Sequence, residues 1–257
     1  MASGGPTPVA LALPPAPADI GLVAALPIEV GPLLERFTRV RTYTAGRLKV
    51  FEGRCGGRVV AAVIAGPGRK AARRGAELLL AGHRPAWVLS VGFGGALNPS
   101  LGRNDIVFAT EVVDLDGLRL AIDLAPPIDE SPGRRITSGR VLTVDAIVRT
   151  ALEKAELHQR FGADVVDMET SSVANVCATR GIRFLSIRVV SDEAQTDLPA
   201  EVLSILGSTG SYRLGAALGA IWRRPSSLKD LWTLRDHAVS AADRLAEVVP
   251  GVFAQLP

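Results

Sequence analysis

Apolar runs that end in glycine or in an acid, with helical stretches between them, constrain this chain more than any other feature. "IGLVAALPIEV", "RVVAAVIAG", "AWVLSVGFGGAL", "ADVVDM" and "IRFLSIRVVSD" read as buried strands, the first turning at Pro27. "VGPLLERF", "RKAARRGAELLLAGH", "TVDAIVRTALEKAELHQRFG" and "ETSSVANVCATRG" read as the helices between them. Thr143 or Asp145 is the expected cap of the third helix, and Gly181 closes the fourth. "RVRTYTAG" and "LKVFEGRC" have the look of an antiparallel hairpin set, and "NDIVFATEVVDLDG" continues the sheet. Strands alternating with helices at these lengths predict an α/β fold: a single domain whose central mixed sheet carries helices on both faces.

A chain of 257 residues is long enough for one such domain with a sizeable core. No internal repeat and no second domain is visible. Residues 1–18 are rich in proline and read as a disordered leader, with residues 19–257 as the domain and 199–257 as its helical extension. That extension reads as three helices broken near Gly207–Gly210 and at Pro225.

A net charge of +3 with scattered Lys and Arg, and only 5% aromatic residues, argues against a nucleic-acid partner. No apolar run approaches the roughly 18 residues of a membrane span. Cys55 and Cys177 fit neither metal spacing nor a disulfide framework and are expected in the core, in a reducing compartment. The expected location is the cytoplasm.

In open α/β sheets, ligands gather at the carboxyl ends of the strands. This chain places Glu29, the turn Gly66 and Gly68, the group Gly92, Phe93, Gly94 and Gly95, then Asp167, Met168 and Glu169, and finally Ser191 and Asp192 on that rim. Singly, each has a bland explanation. "GPGRKA" matches a dinucleotide fingerprint, but the next strand ends without the acid that would hold a ribose, so two glycines making a tight turn explain it better. Asp167 and Glu169 are at home in the first turn of a helix, where the dipole is positive. Four carboxylates and two glycine turns on one rim are harder to explain by such local preferences.

The order and context of these motifs resemble the purine and uridine nucleoside phosphorylase family, particularly its methylthioadenosine/S-adenosylhomocysteine nucleosidase branch. The resemblance covers roughly residues 20 to 195 by motif order. It is carried by "IGLVAALPIEVGPLL", by "AGPGRKAARRGAELLLAGHRPAWVLSVGFGGALNPSLGRNDIV", by "VVDMETSSVANVC" and by "IRVVSDEA". The Met-Glu and Ser-Asp pairs, each ending a buried strand, are its most specific features.

The resemblance implies cleavage of the N-ribosidic bond of an adenine nucleoside. It makes Asp192 the acid that protonates the departing base at N7, with Ser191 orienting it. Glu169 becomes the ribose-hydroxyl ligand, Met168 packs beneath the sugar, and Glu29 activates water. Phe93 and Gly94 belong to the sugar pocket, and backbone around Leu142 and Thr143 reads the purine edge. Asp167 supports the helix start. The resemblance implies no metal and no organic cofactor, a small-molecule nucleoside as ligand, and a homo-oligomer in which a neighbour closes the 5′ pocket.

Two departures bear on the reaction. Where the bacterial phosphorylases offer Arg and Ser to phosphate, this chain has Ser90 and Phe93, which together with Glu29 favours hydrolysis. Phe93 also replaces a Ser common in the nucleosidases, so the sugar pocket departs from that branch as well, and Arg69 or Lys70 remains available to an anion. The tail, with its Arg-Arg-Pro and Leu-rich helix, is similar to that of the hopanoid-associated phosphorylases. Its Trp222 and Trp232 beside Arg223, Arg224 and Lys229 fit a membrane-surface helix, or an amphipathic helix packed on its own domain or on a subunit partner. The competing functions are phosphorolysis of a purine nucleoside such as an adenosylated hopanoid lipid, nucleoside binding without catalysis, and nicotinamide-dependent oxidoreduction.

Overall fold

A computed structural model describes residues 15–122, 135–199 and 227–257, with side chains of the last stretch from residue 235 onward. Ten strands form one mixed sheet: β1 Ile20–Ala24, β2 Thr38–Ala45, β3 Leu48–Cys55, β4 Arg58–Ile64, β5 Trp87–Ala96, β6 Ile106–Asp114, β7 Arg119–Ala121, β8 Ile136–Thr143, β9 Val165–Asp167 and β10 Arg183–Asp192. Among the described residues five helices cover it: α1 Pro27–Glu35, α2 Arg69–His83, α3 Ala151–Phe161, α4 Thr170–Arg180 and α5 Ser227–Gln255. The expected architecture is the observed one.

β5 is the hub of the sheet. Its first four residues, Trp87 to Ser90, lie parallel to β1 and the strand from Trp87 to Gly95 lies parallel to β10, while Gly95 and Ala96 pair antiparallel with β9. β10 continues to β6, β6 to β8 and β8 to β9, so the strands close on themselves around the end of β5. β2 and β3 form the expected antiparallel hairpin at the opposite edge.

Alternation along each strand sorts the core to two faces. Leu22, Leu89 and Ile187 point toward α1 and α5, whereas Val23, Val63 and Val88 point toward α2 and α4. In α5, Ala241, Leu245, Val249 and Phe253 recur at four-residue spacing and are fully buried against the first face. Burial of a Leu or Phe side chain contributes about 1.5–3 kcal/mol, so this ridge holds the helix firmly. Arg58 Nε and Trp87 Nε1 add hydrogen bonds to the carbonyls of Phe253 and Pro257. From residue 235 on, the tail is therefore a helix packed on its own domain. Trp222, Arg223, Arg224 and the breaks near Gly207–Gly210 lie outside the described residues, as does most of the leader.

The helix expected from Thr143 starts later. Thr143 is the last residue of β8, and α3 begins at Ala151 with Thr150 as its cap. Thr150 Oγ1 accepts the Glu153 N–H at 3.2 Å, and Glu153 Oε2 accepts the Thr150 N–H at 3.0 Å. This reciprocal capping box fixes the start, and residues 144–150 are left as an irregular segment. β8 itself escapes sequence patterning because Gly139 interrupts it. A Cβ there would lie 2.6 Å from Asp164 Oδ2, so the close approach of Asp164 requires the glycine.

Candidate active site

The ends of β1, β5, β9 and β10 surround a cavity of about 380 Å³. Glu29, Phe93, Gly94, Met168, Glu169, Ser191 and Asp192 all line it, as expected from the rim. Leu142 and Thr143 do not. Leu142 is fully buried in a core cluster, and Thr143 Oγ1 is occupied by Asp167 and the Ser171 N–H behind the wall. The wall on that side is instead Val144, Ala146, Ile147 and Val148, from the irregular segment that the capping box frees from α3.

Glu29 occupies the third position of α1 and turns back over its own helix start. Its Oε2 accepts the N–H groups of Ala25 at 3.1 Å and Leu26 at 2.7 Å, and its Oε1 accepts the Phe93 N–H at 2.9 Å. Burial pushes the Glu29 carboxyl above the usual carboxylate range, although the Phe93 N–H and the Arg188 guanidinium pull it down. Gly92 leaves room for this arrangement, because a Cβ there would lie 2.6 Å from Glu29 Oε1.

The glycine turn after β4 serves the same cavity. Gly66 and Gly68 take φ values of 87° and 88°, which favour glycine, and the Gly68 N–H donates to Glu169 Oε1 at 2.6 Å. The dinucleotide-like fingerprint thus holds a carboxyl of the chain itself. Glu169 is pushed up to about 8, chiefly by burial and then by the Asp167 and Glu29 carboxylates, against the pull of Arg188 and Gly68. A neutral Glu169 both donates and accepts, which suits a hydroxyl-bearing ligand.

Asp167 faces inward to Arg188. Arg188 Nη2 donates to Asp167 Oδ2 at 2.6 Å, to Thr170 Oγ1 at 2.6 Å and to Ser90 Oγ at 2.7 Å. The Thr170 N–H completes the set on Asp167 Oδ2 at 2.9 Å, so Asp167 braces the start of α4 as expected. Arg188 was not foreseen among the site residues. A charged residue in the buried run "IRVV" is the signal that marks it, since a buried charge demands a partner.

Asp192 ends β10 beside a bulge in its pairing with β5, where Val190 pairs with Gly94 and Asp192 with Gly95. The extra residue, Ser191, re-aims the strand end toward the cavity. Ser191 Oγ donates to Asp192 Oδ1 at 2.7 Å, and the ammonium of Lys154 sits 2.6 Å from Asp192 Oδ2. Lys154 is fully buried on α3 and is a second residue that pattern reading misses. α5 adds Arg235, His237 and Ala238 to the cavity wall, and Arg103 lies 3.0 Å from His237 Nε2.

Arg69, a candidate for meeting an anion, is already engaged. Its guanidinium lies 2.5 Å from Asp116, 3.1 Å from Asp145 and 3.6 Å from Asp114.

Residues 19–211 match the sequence profile of the phosphorylase superfamily. The chain belongs to that superfamily. Among curated proteins it is 29% identical over 195 residues to a 5′-methylthioadenosine/S-adenosylhomocysteine nucleosidase of Actinobacillus succinogenes, covering 67% of this chain and 85% of that protein. It is 26% identical over 199 residues to the nucleosidase of the same description from Baumannia cicadellinicola, covering 69% and 87%. Among solved structures, an S-adenosylhomocysteine nucleosidase of Streptococcus pyogenes in complex with 5-methylthiotubericidin superposes with a TM-score of 0.70 at 18% identity, over 96% of this chain and 100% of that one. The Neisseria meningitidis nucleosidase in complex with methylthio-immucillin-A gives 0.67 at 20% identity, over 90% and 98%. Phosphorylase-superfamily membership and the shared fold agree with the resemblance carried by the Met-Glu and Ser-Asp pairs.

Proposed function

We propose that this chain hydrolyses the N-ribosidic bond of an adenine nucleoside of the methylthioadenosine/S-adenosylhomocysteine kind, releasing adenine. One observation carries the reading: Glu29, Glu169 and Asp192 reach a single cavity whose remaining wall is mostly apolar. When the bond to C1′ breaks, the base takes the bonding electrons and the sugar is left electron-poor. In this reading Asp192 hands a proton to N7 of the base, with Ser191 orienting it. Glu29, raised by burial, takes the proton from the attacking water. Glu169 binds the ribose hydroxyls, Met168 packs beneath the sugar, and Phe93 and Gly94 complete its pocket. The apolar wall at 146–148 suits the flat face of a purine. Proton transfer and charge stabilisation are all supplied by side chains, so the reaction as proposed asks for no metal or organic cofactor.

Water is favoured over phosphate by charge. Arg188 and Arg69 are engaged by Asp167 and by Asp114, Asp116 and Asp145. Phosphate needs guanidinium or N–H donors that carboxylates have not already taken. The Phe93 N–H and Gly68 N–H are likewise given to Glu29 and Glu169.

The reading includes a cytoplasmic homo-oligomer, and the free, buried thiols of Cys55 and Cys177 fit a reducing compartment. The test is adenine release from methylthioadenosine in phosphate-free buffer and again with phosphate, following base and sugar. Free sugar without phosphate supports hydrolysis. A sugar 1-phosphate formed only with phosphate would replace it with phosphorolysis, and no release in either buffer would exclude this substrate.

A further inference from the structure

Lys154 is the most unusual group near the cavity. Its side chain is fully buried, although its neighbour Leu152 on the same helix is 69% exposed. Long, charged side chains are rarely taken wholly out of water, and an unpaired ammonium there costs several kcal/mol. Lys154 Nζ donates to the carbonyls of Glu193 at 2.8 Å and Thr196 at 3.0 Å, and lies 2.6 Å from Asp192 Oδ2. The two carbonyls alone would make it an anchor for the chain after β10. The carboxylate contact connects it to the leaving-group end of the cavity. Ser191 donates to Oδ1, while the Lys154 ammonium meets Oδ2 by charge, an oxygen that accepts no hydrogen bond among the described residues.

We infer that Lys154 is a positioning residue for departure of the base, acting through Asp192; this rests on the hydrolytic reading above. The C1′–N9 bond breaks with its electrons passing to the base, and the Lys154–Asp192 pair gives a proton to N7. The water oxygen bonds to C1′ and its proton goes to Glu29. Solvent then carries that proton back to the pair, so the sum is nucleoside plus water giving adenine plus free sugar. Lys154 does not line the cavity. Its effect is to fix the carboxyl in place and to complete the charge balance of the unit that donates the proton.

A substrate whose leaving group needs no proton separates this role from a purely structural one. 4-Nitrophenyl riboside loses a stable phenolate, so its hydrolysis depends on Glu29 and Glu169 but not on protonation at the leaving-group end. K154Q keeps a polar group for the two carbonyls and removes the charge. We expect its kcat for adenine release to fall at least about 30-fold, the scale of a weakened general acid, with KM nearly unchanged. Nitrophenol release should fall by less than about threefold, and D192N should show the same split. K154M/D192N removes both charges, leaves no unpaired buried charge and deprives only the Glu193 and Thr196 carbonyls of a donor; where it is folded its kcat should match that of D192N alone, because the two residues act as one unit. Thermal melts of each variant report folding separately. Equal losses on both substrates in a folded K154Q would make Lys154 an anchor only, and no loss on either would remove it from the reaction. Additive losses in the double variant would also overturn the pairing. Failure of the wild-type chain to release adenine would overturn the hydrolytic reading itself, and this inference with it.

Discussion

Glu29 Oε1 accepts the Phe93 N–H at 2.9 Å, tying the start of α1 to the end of β5 across the cavity. The bond fixes the proposed water base against backbone rather than against a mobile side chain. In E29Q one acceptor oxygen becomes an NH₂ group that must face either Phe93 or the Ala25–Leu26 pair of N–H groups. We expect kcat to fall by about 10²–10⁴-fold, as for loss of a general base, while KM stays nearly constant. A buried N–H left without an acceptor costs about 1–3 kcal/mol, so a denaturant melt should show that loss as well. A variant with unchanged kcat would remove Glu29 from the reaction.

Glu169 makes stability depend on pH. It is pushed up to about 8 in the folded chain from an ordinary value of 4.5. Between those values the folded chain keeps the proton and the unfolded chain has lost it. The folded state thus binds more protons, and its stability falls as pH rises through that window. Glu29, also raised by burial, acts in the same direction. Thermal melts across the window should show a smaller decline in E169Q, which cannot ionise, than in the wild type. Parallel curves would show that Glu169 does not carry the effect.

Most of the fold is legible in the sequence because fully buried strands leave long apolar runs. β1, β4, β5 and β10 announce themselves in this way, as do the glycines at their ends. β9 is legible too, inside "ADVVDM", although only Val165–Asp167 of that run pair. β8 is not, because Gly139 interrupts it. Glu29, Glu169 and Asp192 were readable as acids at strand ends. The cavity wall at 144–148 was not, because its position depends on where α3 starts, and Thr150 with Glu153 decides that more strongly than apolar periodicity. Arg188 left a trace, a charge inside an apolar strand. Lys154 left none, because helical patterning assigns a lysine to solvent and only the fold reveals Asp192 beside it.

Gly92 tests how closely the carboxylates are packed. A Cβ at this position would lie 2.6 Å from Glu29 Oε1 and 2.8 Å from Arg188 Nη1. Both groups are held by other hydrogen bonds, so relief means moving a proposed catalytic carboxyl or the cation that balances it. G92A should lose about 1–3 kcal/mol of stability from overpacking, read as a lowered denaturation midpoint. It should also lose activity at temperatures where it is fully folded. Full activity in a destabilised G92A would show that Glu29 need not keep this position.

D192N distinguishes an enzyme from a protein that only holds a nucleoside. The substitution is nearly isosteric and keeps an oxygen for Ser191 Oγ to donate to, so the strand end and its bulge should survive. It removes the carboxyl proposed to carry a proton to the base, and it leaves Lys154 without its anion. We expect turnover of methylthioadenosine to fall by about 10²–10⁴-fold, the range for a general acid. Binding, measured by calorimetry with the same nucleoside, should change far less, because the apolar wall and Glu169 are untouched. A buried ammonium that has lost its partner costs about 3–5 kcal/mol, so the melt should be lowered even though the ligand still binds. Retained turnover would move the acid elsewhere. Lost binding together with lost turnover would mean that Asp192 holds the ligand rather than driving its cleavage.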